Sequence, residues 1–244
     1  MENTKTLVAK KYIDCPMKGQ VEADDVFEST CEGCPHFVSR TCDWIHCDYE
    51  EKELKQYVVN IFGGPCAGKT ANMLLVAGKM KKRGVKIEFA DEWIKGKVYD
   101  KSPYPFADQF YTFSKQRKKL LERLAEKRLE VIVTDSPILL SAVYLQKPDE
   151  LFEKLILREF NNSNNINIYL QRSDEYEYDP VGRNQDEEGA KEVDVDIKKY
   201  LDEHDVPYIS VLSRNDAEDE ILDIIMKHIK IPPNGSVYCV PKIA

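Results

Sequence analysis

The chain has 244 residues, of which 42% are hydrophobic and 10% aromatic, enough for a large buried core in one or two domains. This composition excludes a wholly disordered chain. The sequence contains no run of about 18 apolar residues and no apolar signal-peptide segment, so we expect a soluble, cytoplasmic protein without a membrane partner. The formal net charge of −8 argues against a surface that is basic throughout and binds polyanions nonspecifically.

The charge is concentrated in one stretch near the N-terminus. Between Asp14 and Glu51, ten acidic residues stand against two basic ones, and five of the seven cysteines lie in this stretch. Closely spaced cysteines in a reducing compartment favour zinc over disulfides, although free thiols are the alternative. The ligands predicted for a structural zinc are Cys15, Cys31, Cys34 and Cys47, with Cys42, His36 and His46 as competitors.

We therefore expect residues 1–52 to form a small cysteine-rich, zinc-stabilised segment. Its carboxylates would repel a phosphate backbone, which disfavours a nucleic-acid-binding finger and favours a structural cap or a partner-binding element.

From residue 57 onwards, short apolar runs alternate with helical periods, a pattern typical of a parallel sheet covered by helices. The predicted strands are Tyr57–Phe62, Val85–Phe89, Val131–Thr134, Ile166–Leu170 and Tyr208–Leu212. The predicted helices are Thr70–Arg83, Lys115–Arg128, Glu150–Phe160, Glu187–Leu201 and Ala217–Ile229. These elements predict an α/β domain over residues 53–231, followed by a tail over 232–244.

A phosphate-binding loop follows the first of these strands. Residues 63–70 fit the pattern GxxxxGK[ST] and open a helix, as a P-loop requires. The predicted nucleotide-binding residues are Gly63, Gly64, Pro65, Cys66, Ala67, Gly68, Lys69 and Thr70. Lys69 is expected to reach the outer phosphates and the Thr70 hydroxyl to bind Mg²⁺, so ATP or GTP with Mg²⁺ is predicted as the ligand.

A second magnesium residue is expected at the end of a hydrophobic strand, and Asp135 follows Val131–Thr134. Only one other strand lies between the loop and this one. That spacing predicts a strand order of 2-3-1-4-5, with the Asp135 strand beside the loop strand, the order of nucleoside and nucleotide kinases.

Phosphoryl transfer also needs positive charge and an acceptor site. Arg172 follows the fourth strand and Arg183 lies in the polar stretch after it, so both are candidates to close over the phosphates. Asp91 and Glu92 follow the second strand and are candidates to orient an acceptor hydroxyl. Candidates for holding a base are Trp93, Phe110, Tyr111 and Phe113 by stacking and Gln109 by hydrogen bonding.

These residues resemble phage and bacterial P-loop kinases related to the kinase domain of nicotinamide riboside kinases. The resemblance covers roughly residues 57–212. It lies in the P-loop, Asp91-Glu92-Trp93, Asp108-Gln109-Phe110, Thr134-Asp135-Ser136-Pro137 and the polar stretch 179–188. It implies that Asp91 or Glu92 assists the acceptor hydroxyl, that Asp135 serves magnesium and that Arg183 is a lid arginine. Members of the phage group are similar to enzymes that phosphorylate 5-hydroxymethyluracil in phage DNA, which implies the host cytoplasm for a phage protein.

We therefore expect a kinase that transfers the γ-phosphate to a hydroxyl of a nucleoside, a nucleotide or a modified DNA base. A nucleotide hydrolase or switch, and a non-catalytic nucleotide-binding module, are the alternatives. A DNA acceptor would need a basic track. The two candidate tracks are the residues Lys79, Lys81, Lys82 and Arg83, and the residues Lys115, Arg117, Lys118 and Lys119.

Overall fold

The computed structural model describes residues 55–93, 108–173, 178 and 186–229 with their side chains, and the backbone of five short strands within residues 5–47. The chain divides into two compact units, Met1–Glu53 and Leu54–Ala244. In the described part of the chain, no helix combines the length and the apolar character needed to cross a membrane.

The first unit contains small antiparallel sheets. Its strands are β1 (Lys5–Val8), β2 (Tyr12–Cys15), β3 (Gly19–Glu22), β4 (Phe37–Arg40) and β5 (Trp44–Cys47). One sheet has the order β1-β5-β4, and β2 pairs with β3. Two of the predicted zinc ligands, Cys15 and Cys47, end strands β2 and β5. The side chains of all the predicted zinc ligands lie outside the described residues, so the zinc site stays a prediction.

The second unit is built on a parallel sheet of five strands. They are β6 (Tyr57–Phe62), β7 (Ile87–Ala90), β8 (Val131–Thr134), β9 (Asn164–Gln171) and β10 (Ile209–Leu212). Their order is β10-β9-β6-β8-β7, and every neighbouring pair is parallel. Counted from β6, this is the predicted order 2-3-1-4-5, which confirms a P-loop kinase-like sheet.

Helices cover both faces of this sheet. They are α1 (Lys69–Lys82), α2 (Gln109–Leu124), α3 (Leu140–Val143), α4 (Glu150–Asn161), α5 (Glu187–Glu203) and α6 (Ala217–Ile229). The side chains of β6 alternate between the faces, as strand geometry dictates. Val59 and Ile61 pack in the core under α1 and α6, and Val58 and Phe62 pack in the core under α2, α4 and α5.

Several boundaries differ from the predicted ones, among them the starts of α2 and β9. Helix α2 begins at Gln109 rather than Lys115, because the Asp108 side chain accepts a hydrogen bond from the Tyr111 N–H and caps the helix. Strand β9 begins at Asn164, inside a run of polar residues that predicts a turn. The buried Asn60 amide donates to Asn165 Oδ1 at 2.9 Å, which offsets the cost of placing an amide in the sheet.

An ion pair joins α2 and α4, which cover the same face of the sheet. Arg117 in α2 donates to Glu159 Oε2 in α4 at 2.7 Å, and Arg158 donates to Glu159 Oε1 at 3.1 Å. These hydrogen bonds, above all the one from Arg117, lower the pKa of the Glu159 carboxyl below its ordinary value.

Candidate functional site

The P-loop lies between β6 and α1, where its backbone has the conformation that its glycines allow. Gly63 has a φ of +147° and Gly68 a φ of +83°, and Cys66 also lies in the left-handed region at +60°. The Lys69 side chain reaches back across the loop, and its Nζ donates to the Gly64 carbonyl at 2.6 Å. The loop is therefore compact, with a lysine ammonium held against its backbone at the N-terminus of a helix, the arrangement that binds phosphate groups.

Asp135 lies directly beside this loop. Strand β8 pairs with β6, so the end of β8 delivers the carboxylate to the first turn of α1. The Thr70 hydroxyl donates to Asp135 Oδ2 at 2.6 Å. The spacing of the sequence predicts this pair of magnesium residues, and the structure brings the two side chains together.

The environment of Asp135 fits a divalent cation. The residue is only 2% exposed, and its Oδ1 atom is buried without a hydrogen-bond partner among the described residues. An unpartnered carboxylate oxygen at this depth is costly unless a cation or water fills its coordination. No group of three or more His, Cys, Asp or Glu side chains surrounds it in the described ranges. Mg²⁺ is typically held by one or two protein carboxylates together with water and substrate phosphates, which Asp135 beside the Thr70 hydroxyl could provide.

A partly buried ion pair lies against the other side of the loop. Arg172 follows β9, and its Nε donates to Asp194 Oδ2 in α5 at 2.9 Å. The Nη2 atom of Arg172 donates to the Pro65 carbonyl at 2.6 Å. The other oxygen of Asp194 accepts a hydrogen bond from the Gly64 N–H at 2.5 Å. Arg172 thus lies next to the P-loop with its guanidinium bound to Asp194 and to the loop backbone, and its predicted action on the phosphates stays a prediction.

Ser213, just after β10, also contacts the P-loop. It is 2% exposed, and its hydroxyl donates to the Ala67 carbonyl at 3.0 Å. A Cβ added to Gly68 would lie 2.9 Å from this hydroxyl oxygen. The Ser213 carbonyl accepts a short hydrogen bond from the Ser173 hydroxyl. The P-loop is therefore held by residues that follow strands β8, β9 and β10 as well as by α5.

The proposed acceptor edge lies after β7, where the two candidate carboxylates have different environments. Asp91 is exposed, and its Oδ1 accepts a hydrogen bond from Lys119 in α2 at 2.9 Å. The buried Gln116 side chain accepts a hydrogen bond from the Trp93 N–H at 3.0 Å and donates to the Asp91 carbonyl at 3.3 Å. Gln116 therefore fixes the backbone on both sides of Glu92.

Glu92 acts on Tyr144, which caps the end of α3. Burial raises the pKa of the Tyr144 hydroxyl well above its ordinary value, and the negative charges of Glu92 and Asp194 raise it further. The Tyr144 hydroxyl therefore stays protonated at neutral pH, and the charges of Glu92 and of Asp194 in α5 both act on it.

The predicted aromatic residues divide into three environments. Trp93 and Tyr111 form an edge-to-face pair with ring centroids 5.2 Å apart. Phe110 is 54% exposed and stacks on Phe152 at 3.8 Å. Phe113 is buried in the core, which removes it as a platform for a base. Gln109, the first residue of α2, is half-buried.

Arg183 lies outside the described residues, so its predicted lid role is not tested. Sequence reasoning missed Asp194, Gln116 and Ser213. Asp194 had a signal, because it falls on the same helical stripe as Ala190, Ile197 and Leu201, where a charge is unexpected. Ser213 and Gln116 have no comparable signal.

A family model described as an AAA domain matches residues 58–219. The chain belongs to this family. The matched range runs from the P-loop strand to the first turn of α6 and so includes Asp135, Arg172, Asp194 and Ser213. A comparison with curated proteins gives no match.

The fold is also similar to solved structures of low sequence identity. NadR protein in complex with NR aligns with a TM-score of 0.59 and 15% identity, over 78% of this chain and 56% of that one. The chain thus spans little more than half the length of NadR. Thymidylate kinase from Ehrlichia chaffeensis aligns with a TM-score of 0.51 and 11% identity, over 70% of this chain and 99% of that one. At these identities the likeness shows a shared P-loop kinase-like fold.

Proposed function

We propose that this protein is a Mg-ATP-dependent kinase that transfers the γ-phosphate to a hydroxyl group of a nucleoside- or nucleotide-type acceptor. The observation that supports this most directly is the Thr70–Asp135 pair beside the P-loop. There a buried carboxylate oxygen has no hydrogen-bond partner in the part of the chain that the structure describes. ATP would supply the transferable phosphoryl group, and Mg²⁺ would neutralise part of its charge. Lys69 adds positive charge at the loop, where the phosphates bind, and Arg172 lies beside it with its own charge balanced by Asp194.

Glu92 is the better candidate to orient the acceptor. Asp91 is exposed and bound to Lys119, whereas Glu92 is half-buried and its charge acts on the buried Tyr144 hydroxyl. In this proposal Glu92 would accept the proton of the acceptor hydroxyl while the hydroxyl oxygen bonds to the γ-phosphorus. The bond from that phosphorus to the bridging oxygen would break, and ADP would leave. The Trp93–Tyr111 pair, beside Glu92, supplies an aromatic surface for a base.

The surface charges favour a free acceptor over a base within DNA. Most of the basic side chains in the two candidate tracks are already paired with carboxylates. Those pairs join Lys79 to Glu218 and Asp219, Lys81 to Glu88, Arg117 to Glu159, Lys118 to Glu122, and Lys119 to Asp91. A paired lysine offers less charge to a phosphate backbone. We therefore place 5-hydroxymethyluracil in DNA second to a free nucleoside, nucleotide or nicotinamide riboside.

A screen of phosphate transfer from γ-labelled ATP tests the proposal. The acceptors are nucleosides, nucleotides, nicotinamide riboside and DNA containing 5-hydroxymethyluracil, and free phosphate is measured in the same reactions. We expect label on a free acceptor. Label on the DNA alone would reverse the order of acceptors. Release of free phosphate at a rate that no acceptor changes would identify a hydrolase or switch and reject the kinase proposal.

A further inference from the structure

Asp194 is a charged residue on the buried face of α5. It is 9% exposed, and its neighbours on the helical stripe, Ala190 and Ile197, are fully buried. Removing a carboxylate from water costs several kcal/mol unless its oxygens are paired. Both oxygens of Asp194 are paired, one with the Gly64 N–H and the other with Arg172 Nε. Helix α5 therefore places a carboxylate against the P-loop, and both of its oxygens accept hydrogen bonds.

Helix α5 approaches the loop more closely than a side chain would allow. A Cβ on Gly64 would lie 2.6 Å from the Ala190 carbonyl oxygen and 2.7 Å from Asp194 Oδ1. The second glycine of the loop thus leaves room for the helix backbone and for the Gly64–Asp194 hydrogen bond. The Tyr169 hydroxyl in β9 donates to the Asp194 carbonyl at 3.1 Å, which fixes the position of this turn of α5 over the sheet.

Arg172 joins the same contact. Its side chain is 19% exposed, and it donates to Asp194 and to the Pro65 carbonyl. The carboxylate thus determines where the guanidinium lies, against the first half of the loop. In turn, Arg172 compensates a negative charge that would otherwise repel bound phosphates.

We propose that Asp194 is a positioning residue of the nucleotide site, which holds the P-loop through the Gly64 N–H and holds Arg172 against the loop. This inference rests on the proposed function for the identity of the ligand, a nucleoside di- or triphosphate. Asp194 does not touch the phosphates. It acts through the two groups that it binds.

The test compares D194N with D196N, an identical substitution at an exposed position of the same helix. The readout is the dissociation constant of ADP, of a non-hydrolysable ATP analogue and of adenosine, measured by calorimetry. D194N keeps an oxygen for Gly64 but loses the charge that holds Arg172. We expect binding of the two phosphate-bearing ligands to weaken by about 10- to 100-fold, the effect of one lost charge-assisted hydrogen bond, with adenosine binding unchanged. D196N should match the wild type.

Several results would overturn the proposal. Unchanged or tighter ADP binding by folded D194N would show that Asp194 is only a structural or a repulsive charge. An equal loss for adenosine would show a general disturbance of the site. R172A should weaken ADP binding, and D194N should add little to R172A if the two act as a unit. Independent, additive losses would contradict the coupling. All of these readouts are independent of the acceptor, so a failed kinase assay does not decide them.

If D194N does not fold, R172A provides a second test of the proposal. Hydrogen exchange of the nucleotide-free protein then provides the readout, because Arg172 reaches the loop through Asp194 and Pro65. We expect faster exchange in the peptide containing residues 57–70 and unchanged exchange in strand β8. Unchanged exchange in both would show that Arg172 does not hold the loop and would reject the proposal.

Discussion

Replacing Gly64 by alanine tests how closely α5 packs on the P-loop. The new Cβ would lie 2.6 Å from the Ala190 carbonyl oxygen, which belongs to a helix backbone and cannot turn away. Overpacking of this kind costs about 1–3 kcal/mol, and the strained Gly64–Asp194 hydrogen bond adds to it. The lower entropy of the unfolded alanine chain offsets about 0.4–1 kcal/mol.

We therefore expect G64A to lower the free energy of unfolding by about 2 kcal/mol, which in a domain of this size lowers Tm by about 4–8 °C. Gly78 provides a matched control, since it is exposed in the middle of α1 and an added Cβ would meet nothing within 4 Å. There the same substitution should raise stability by up to about 1 kcal/mol, because alanine is the better helix former.

Calorimetric unfolding of both variants without nucleotide measures the difference, since a bound ligand would stabilise each by a different amount. The two substitutions should shift Tm in opposite directions. A G64A protein as stable as the wild type would mean that α5 does not lie against the loop at this distance, and the argument for the Asp194 contact would fail with it.

Four further predictions concern other parts of the molecule. K69A should abolish phosphate transfer while Tm stays close to that of the wild type, because charge at the outer phosphates is lost and the loop backbone remains; a transfer assay and calorimetry check this. D135N should weaken nucleotide binding in Mg²⁺ far more than binding in EDTA, and equal losses would indicate a structural role. E159Q should lower stability at pH 7. Because the pKa of the Glu159 carboxyl is lowered in the fold, its contribution is fully present above the ordinary carboxyl pKa of about 4.3 and is lost as the pH falls through the lowered pKa of the folded state. Denaturant unfolding should therefore show a difference in stability between E159Q and wild type at pH 7 that shrinks as the pH falls below about 4. Metal analysis of protein purified without chelator should find about one zinc per chain, and C31S with C34S should remove it; a metal-free wild type would end that idea.

The parts of the site that the sequence predicts are those that depend on local pattern. The P-loop is a contiguous motif between a strand and a helix, so its glycines and Lys69 can be identified without a fold. Asp135 needed one further step, namely that the strand before it lies beside the loop strand. The strand order confirms this step, because β8 pairs with β6.

The rest depends on contacts between distant segments. Asp194 is separated by 130 residues from Gly64, and nothing local distinguishes it from a solvated helix residue except its place on an apolar stripe. Similarly, Asn164 and Asn165 predict a turn until their partners on and before β6 are known. Asn164 donates to the Gln56 carbonyl, and Asn165 accepts a hydrogen bond from Asn60. The sequence alone does not indicate whether Asp91 or Glu92 is the better candidate to orient the acceptor hydroxyl. The difference between them depends on Lys119 in α2, which pairs with Asp91.

The contacts around the P-loop also have a consequence for how the protein is made. They join residues separated by 65, 107, 130 and 146 positions along the chain. Contacts of such long range cannot form until both segments exist and the intervening chain has closed into a loop. A chain emerging from the ribosome therefore has its phosphate motif early but completes the site only when Ser213 has been synthesised. Nucleotide binding should then indicate that the domain has been synthesised and folded as far as Ser213. Chains that end before Ser213 should not retain nucleotide.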